Sequence, residues 1–393
     1  MRLCVPANFD RSLVGYLAAH PVAEVYGKLP ADFVGGGRPS YMGTPVSLGE
    51  LADYVDELRR HGIAFNYLLN ASCLGNREWG RTWEKRLRRF LGRLWDIGVT
   101  NLTISTPFLL ERVRAAFGQF RLKVGIFAQV DTPQRARFWA DLGADAITLE
   151  SFSVNRDFPR LRAIRAAVTC DLQLIANHLC LPNCPLQPYH QNGFAHASDG
   201  SGGVFLDYCF LRCTERRLTE PALFIKAAWI RPEDIGAYEA IGYDTFKLLE
   251  RGIPSEAIAQ RVEAYSARRF EGNLAELLLS YGFRRPLRRG RLWAVRHFLR
   301  PGQVWPWKLR PMLEMIRRQG MLHPIDEMPI VIDTAAIPAD FLEHVRDGGD
   351  AADAWCERIA ADAVRVAPDY RREALAGLAD AGRSLVSGEL WHA

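Results

Sequence analysis

Along the first two-thirds of the chain, apolar positions alternate between two spacings. Short apolar and β-branched runs predict strands at Arg2–Val5, Val22–Tyr26, Ile63–Leu69, Asn101–Ser105, Leu122–Gln129, Ala146–Leu149, Leu172–Ala176, Phe224–Ala228 and Thr245–Leu248. Between several of them the spacing is helical. Leu51, Val55 and Leu58 share one face and predict a helix over Leu48–His61. The same pattern predicts helices over Glu84–Leu94, Leu109–Phe117, Gln134–Leu142 and Phe158–Val168. Repeated β–α alternation implies a parallel sheet. Eight or so such units in roughly 250 residues predict a TIM-like (β/α)8 barrel rather than a doubly wound sheet. A dinucleotide-binding G-x-G-x-x-G is absent, and the bare triplet Gly35–Gly37 reads as a turn.

After residue 255 the alternation stops. Helical spacing returns at Ser255–Phe270, Ala351–Val364 and Tyr370–Ser384. The expected organisation is a barrel over residues 1–275 and a mostly helical extension over 276–393. That extension is basic first and acidic afterwards. Arg284–Arg318 holds eleven Lys/Arg against the single acid Glu314, with Trp293, Trp305 and Trp307 interleaved. From Asp326 onward there are fourteen Asp/Glu against six Arg. The two stretches can pair within the chain. Otherwise the basic one offers a surface to phosphates, an anionic membrane or an acidic partner.

Composition narrows the class. With 48% hydrophobic and 24% charged residues, the chain is neither disordered, collagen-like nor coiled coil. It has no apolar run long enough to span a membrane. The start, MRLCVPANFDRSL, has no secretory apolar core, so the cytoplasm is the expected compartment.

Eight cysteines in such a compartment are not read as four disulfides. Two matched C-x3-C pairs, Cys180/Cys184 and Cys209/Cys213, fall within a short stretch. Pro182, Pro185 and Pro188 are expected to fix a loop around the first pair, just past the C-terminal end of a barrel strand. The second pair follows a Gly/Ser turn and is expected on another loop. Four soft thiolates suit an iron–sulfur cluster, most simply [4Fe-4S], or a tetrahedral zinc. Position on a barrel rim favours the cluster, and buried incidental thiols are the remaining alternative. The radical-SAM pattern would need a cysteine where Gln187 stands. Cys73, at the same rim, is a substitute ligand; Cys4, Cys170 and Cys356 read as core or surface thiols.

His178, His190 and His196 surround the pairs in sequence and are candidate proton-transfer residues, or hydrogen-bonded structural ones. Asn66, Asn70, Gln129 and Glu150 fall at or near predicted strand ends. They are candidates for substrate binding or for an interior polar layer.

Several of these residues carry a resemblance. Tyr26, Gly27 and Arg38 lie in EVYGKLPADFVGGGR, and Pro232, Asp234, Gly242, Asp244, Lys247 and Arg251 lie in RPEDIGAYEAIGYDTFKLLERG. With the two cysteine pairs, they resemble the collagenase-like proteins of peptidase family U thirty-two, over about residues 1–275. A Glu–Gly of the family pattern is replaced here by Leu249–Glu250. The resemblance implies a barrel whose four cysteines hold an iron–sulfur cluster. It also implies hydroxylation without O2, with prephenate as oxygen donor. The acceptor would be an RNA base, a ubiquinone precursor or another metabolite or peptide. A carboxylated donor needs cations, and Arg38, Lys247 and Arg251 are placed to supply them. Quinone-acting relatives work as pairs of cluster-bearing subunits, so a related subunit is an expected partner. A non-catalytic or electron-transfer subunit and a peptidase are the alternatives. H-E-x-x-H is absent, and the sequence offers no evident nucleophile–base pair.

Overall fold

The computed structural model describes residues 1–38, 46–199, 207–251, 253–279 and 328–389. Eight parallel strands close into a barrel in chain order. They are β1 (Arg2–Pro6), β2 (Val22–Gly27), β3 (Ala64–Leu69), β4 (Asn101–Ile104), β5 (Arg121–Val124), β6 (Ala146–Thr148), β7 (Asp171–Ile175) and β8 (Thr245–Lys247). Closure comes from β1 pairing with β8, where Cys4 meets Lys247. Side chains alternate along each strand. One parity, such as Phe65, Tyr67 and Leu69 of β3, is apolar and buried. The other carries polar residues that meet across the interior, such as Asn66 with Glu24 of β2 and Thr103 of β4.

The helices follow the periodic pattern closely. Leu48–Arg60 starts at a capping box made by Ser47 and Glu50, and buries Leu51, Tyr54, Val55 and Leu58. Arg81–Asp96, Pro107–Ala116, Pro133–Asp141 and Phe158–Ala167 fill the other predicted stretches, three of them with proline in the first turn.

Three expectations are corrected. Phe224–Ala228 is not a strand; Leu223–Lys226 is a short helix, and the chain beyond it stays buried through Ile230. An apolar run buried on all sides has no periodicity with which to tell helix from strand. Its removal leaves eight strands for the barrel. The run Leu122–Gln129 also ends early, at Val124, and continues as a single tight turn over Ile126–Ala128. Pro188 does not extend the loop after β7 but opens a helix, Gln187–Ala197, because a first-turn proline gives up no helical hydrogen bond.

Residues 176–244, between β7 and β8, form a long excursion that carries both cysteine pairs. Against it packs the described part of the C-terminal extension. This comprises an antiparallel pair, β9 (Ile330–Ile332) and β10 (Val364–Val366), and the helices Phe341–Val345, Asp350–Ala363 and Pro368–Ser387. The expected basic segment Arg284–Arg318 lies outside the described residues. No described helix is long and apolar enough to cross a membrane.

Candidate functional site at the C-terminal mouth of the barrel

The interior layer is charged. Lys123 of β5 donates to Glu24 of β2 at 2.6 Å, and Glu24 also accepts from Cys4 at 2.9 Å, Asn66 at 3.1 Å and Asn101 at 2.8 Å. Burial would raise the Glu24 carboxyl, but Lys123 and these hydrogen bonds hold it at about 2. Neither Glu24 nor Lys123 was singled out from the sequence. The available signal was a charge at inward parity within an otherwise apolar strand.

Above this layer, at the strand C-termini, cations gather. Lys28 just past β2 pairs with Asp32 at 3.0 Å. Asp32 also accepts from the Tyr67 hydroxyl at 2.8 Å and from the Val34 and Gly35 amides. Arg38 pairs with Glu250. Lys247 ends β8 with its Nζ 3.9 Å from the centre of the Tyr26 ring. Arg251 follows four residues later. No described carboxylate pairs with Lys247 or Arg251. Burial, with Lys123 and Arg251 nearby, pulls the Lys247 ammonium down to about 8. Burial and Arg38 pull Arg251 to about 10.

The glycine triplet packs into this mouth and is more than an exposed turn. Gly36 donates to Ser198 and Gly37 to Asn70. A Cβ on Gly35, whose φ is +84°, would stand 2.5 Å from the Ala195 carbonyl oxygen.

Of the sequence candidates, Arg38, Asn70, Lys247 and Arg251 therefore share the β2, β3 and β8 side of the mouth. Asn66 belongs to the interior layer below. Gln129, at φ +51°, instead meets Gln191. Glu150 caps the short helix Ser151–Val154 through Ser153 and accepts from Gln187 at 3.1 Å, next to the first cysteine pair. Asn177 joins the two sides, since its side chain accepts from the Leu249 amide at 2.6 Å.

Cys180 and Cys184 lie on the irregular chain after β7, as expected. Cys209 and Cys213 are not on a loop; they sit one turn apart on the helix Tyr208–Thr219, which Asp207 caps. The pairs approach each other. The Cys209 thiol lies 3.9 Å from the Leu186 carbonyl oxygen, and Arg217 bridges the Leu179 carbonyl at 2.8 Å and Cys213 Sγ at 3.4 Å. Burial raises the Cys180 thiol, and Cys213 and Cys184 raise it further. Burial likewise pushes Cys209 up to about 12. Burial raises the Cys184 thiol too, against the backbone amides of Leu186 and Gln187, which favour its thiolate. Among the described residues, no three Cys, His, Asp or Glu side chains are gathered as they stand into a metal-holding group. Cys213 turns toward the Phe210 carbonyl, and Cys73 accepts from the Gly75 amide.

The three histidines are dispersed. His178 is buried, bonded to the Ser151 carbonyl at 2.9 Å and set edge-on to Phe152. Burial holds it neutral, at about 3. His190 faces Asp207 at 2.9 Å, and His196 is half exposed, 3.6 Å from Asp199.

No family model matches the chain. An uncharacterized protease of Methanocaldococcus jannaschii is 33% identical over 255 residues, covering 65% of this chain and 75% of that protein. Among solved structures, a U32 peptidase aligns with a TM-score of 0.49 at 21% identity, over 65% of this chain and 94% of that one. A 3-hexulose-6-phosphate synthase aligns with a TM-score of 0.36 at 12% identity, over 69% and 100%. These two structural likenesses are too distant to carry a function. The archaeal relative is similar across three-quarters of its own length. The chain belongs to the U32 peptidase family.

Proposed function

We propose that the chain is an iron–sulfur protein that hydroxylates an organic acceptor without O2, with a carboxylated oxygen donor such as prephenate bound at the barrel mouth. The observation that carries this reading is the cation set. Arg38, Lys247 and Arg251 share one mouth, and two of them face no described carboxylate. Leaving such charges buried without a counter-ion is costly, so the site favours an anion. An arginine holds a carboxylate through two parallel hydrogen bonds and so fixes its orientation.

Cys180, Cys184, Cys209 and Cys213 would hold the cluster. The fit rests on donor chemistry. All four are thiols, they lie within electrostatic range of one another, and N–H groups already point at two of the sulfurs. Ligation requires Cys209 and Cys213 to turn from their carbonyl partners. When bound, the cluster supplies electron transfer; zinc is the lesser alternative for the same ligands. Acceptors in keeping with this reading are an RNA base, a lipid-borne quinone precursor or another metabolite or peptide. The basic, tryptophan-bearing segment Arg284–Arg318 suits the first two.

Two measurements test this. Anaerobically purified protein should carry iron and sulfide, and Cys→Ser at any of the four positions should remove them while Cys170→Ser does not. Zinc without iron after anaerobic reconstitution overturns the cluster. Product formed with labelled O2 and labelled water in separate runs should carry no oxygen from O2; label from O2 overturns the hydroxylation.

A peptidase reading is favoured by the archaeal relative, an uncharacterized protease. It would need an activated nucleophile, and among the described residues no serine hydroxyl or cysteine thiol is hydrogen-bonded to a histidine.

A further inference from the structure

The chain has six lysines, and the five described ones divide sharply. Lys85 is exposed. Lys28, Lys123 and Lys226 each face a carboxylate, at 3.0 Å from Asp32, 2.6 Å from Glu24 and 2.7 Å from Glu357. Lys247 is buried inside the barrel, and its Nζ sits on the face of Tyr26, whose hydroxyl is occupied by the Leu248 carbonyl; Cys4 and Glu24 lie nearby, but no described carboxylate is within ion-pair distance. A buried amine without a carboxylate partner, among other cations, is the arrangement that releases its proton and frees a lone pair.

We propose that Lys247 forms an imine with the carbonyl of a 2-oxo acid whose carboxylate is held by Arg251 and Arg38. This rests on the carboxylated-donor reading above and sharpens it, since prephenate itself carries a 2-oxo acid side chain. The ammonium gives a proton to solvent, and the nitrogen lone pair attacks the carbonyl carbon. The C=O π pair moves to oxygen, which is protonated to a hydroxyl. The nitrogen gives a second proton to solvent, and its lone pair then expels that hydroxyl, which leaves as water with a proton from solvent. The balance is R–NH3+ + O=C → R–NH+=C + H2O, with no oxidant or reductant. Burial and the nearby Lys123 and Arg251 favour the neutral amine that the first step needs. The imine would fix the donor at one orientation on the axis of the barrel, above the Glu24–Lys123 layer.

The test is trapping. Full-length, anaerobically purified protein is incubated with pyruvate, and separately with prephenate, in the presence of cyanoborohydride. Intact mass and peptide mapping then locate the adduct. The expected result is one adduct per chain, mapped to Lys247, absent without the 2-oxo acid and absent from Lys247→Arg. Circular dichroism verifies that the variant is folded, and mapping on the wild type stands without it. No adduct at saturating 2-oxo acid overturns the proposal. So does an adduct retained in Lys247→Arg, or labelling of exposed Lys85 to the same extent. Trapping needs neither turnover nor an acceptor. An adduct on a protein that fails the iron and oxygen-label tests would leave the imine standing and remove the hydroxylase. An iron-bearing hydroxylase with no adduct would do the reverse.

Discussion

Glu250 stands at φ +92°, where glycine is at ease and a glutamate is strained by about 1–3 kcal/mol. It replaces a glycine of the family pattern, and its carboxylate sits on Arg38. The side chain thus occupies the arginine that a bound carboxylate would use. Glu250→Gly should relieve the strain, free Arg38 and tighten prephenate binding several-fold by calorimetry; unchanged affinity would remove Glu250 from the site. Below it, the Glu24 carboxyl is held at about 2 against an ordinary 4.5. Because the folded-state value is the lower one, this contribution is complete above pH 4.5. It is lost as pH falls from there through about 2, and amounts to about 3 kcal/mol. Urea melts between pH 6 and pH 3 should show the loss, and Glu24→Ala, which strands Lys123, should cost about 3–5 kcal/mol at neutral pH. Lys247 and Arg251 were legible in the sequence because they follow a strand and match a family pattern. The Glu24–Lys123 pair was not, since two residues ninety-nine positions apart meet only when the barrel closes.

At the scale of elements, amphipathic helices and half-buried strands were readable because each has a face. Failures fall where a face is missing. Leu223–Ile230 is buried apart from Lys226, so strand and helix looked alike. The helix Tyr208–Thr219 carries its helical signal in Leu211, Thr214 and Leu218, which it buries, and the C-x3-C spacing of Cys209 and Cys213 by itself fits loop and helix alike. That helix is tied to the first cysteine pair by Arg217, through the Leu179 carbonyl and Cys213 Sγ. Arg217→Met keeps the bulk and removes both bonds. It should destabilise by about 1.5–3 kcal/mol in thermal melts and lower iron retention, whereas Cys170→Ser should change neither. Retention equal to wild type would make Arg217 a packing residue only.

Across the whole molecule, the C-terminal extension grips the excursion that carries the cysteines. Arg156 lies 4.5 Å from the Trp229 ring and 5.0 Å from that of Phe341, which stacks on Trp229 at 5.2 Å. Arg231 reaches the Pro338 and Ala339 carbonyls, and Arg371 reaches those of Leu218 and Thr219 at the end of the cysteine helix. Phe341→Ala should cost about 3–5 kcal/mol and make the chain near residue 220 accessible to limited proteolysis before the barrel itself; uncoupled cleavage would argue against the grip. The pairing of β1 with β8 has a further consequence, in time rather than in space. On the ribosome the first strand emerges with one edge bare, and its partner, Thr245–Lys247, is made only near the end of the barrel sequence. Until then both rims of an open sheet are available to other chains, and Cys4, Glu24 and Lys247 have no shared interior. Closing the ring and building the mouth are a single late event of synthesis. A ribosome stalled before β8 therefore releases a sticky sheet rather than a weaker version of the same protein.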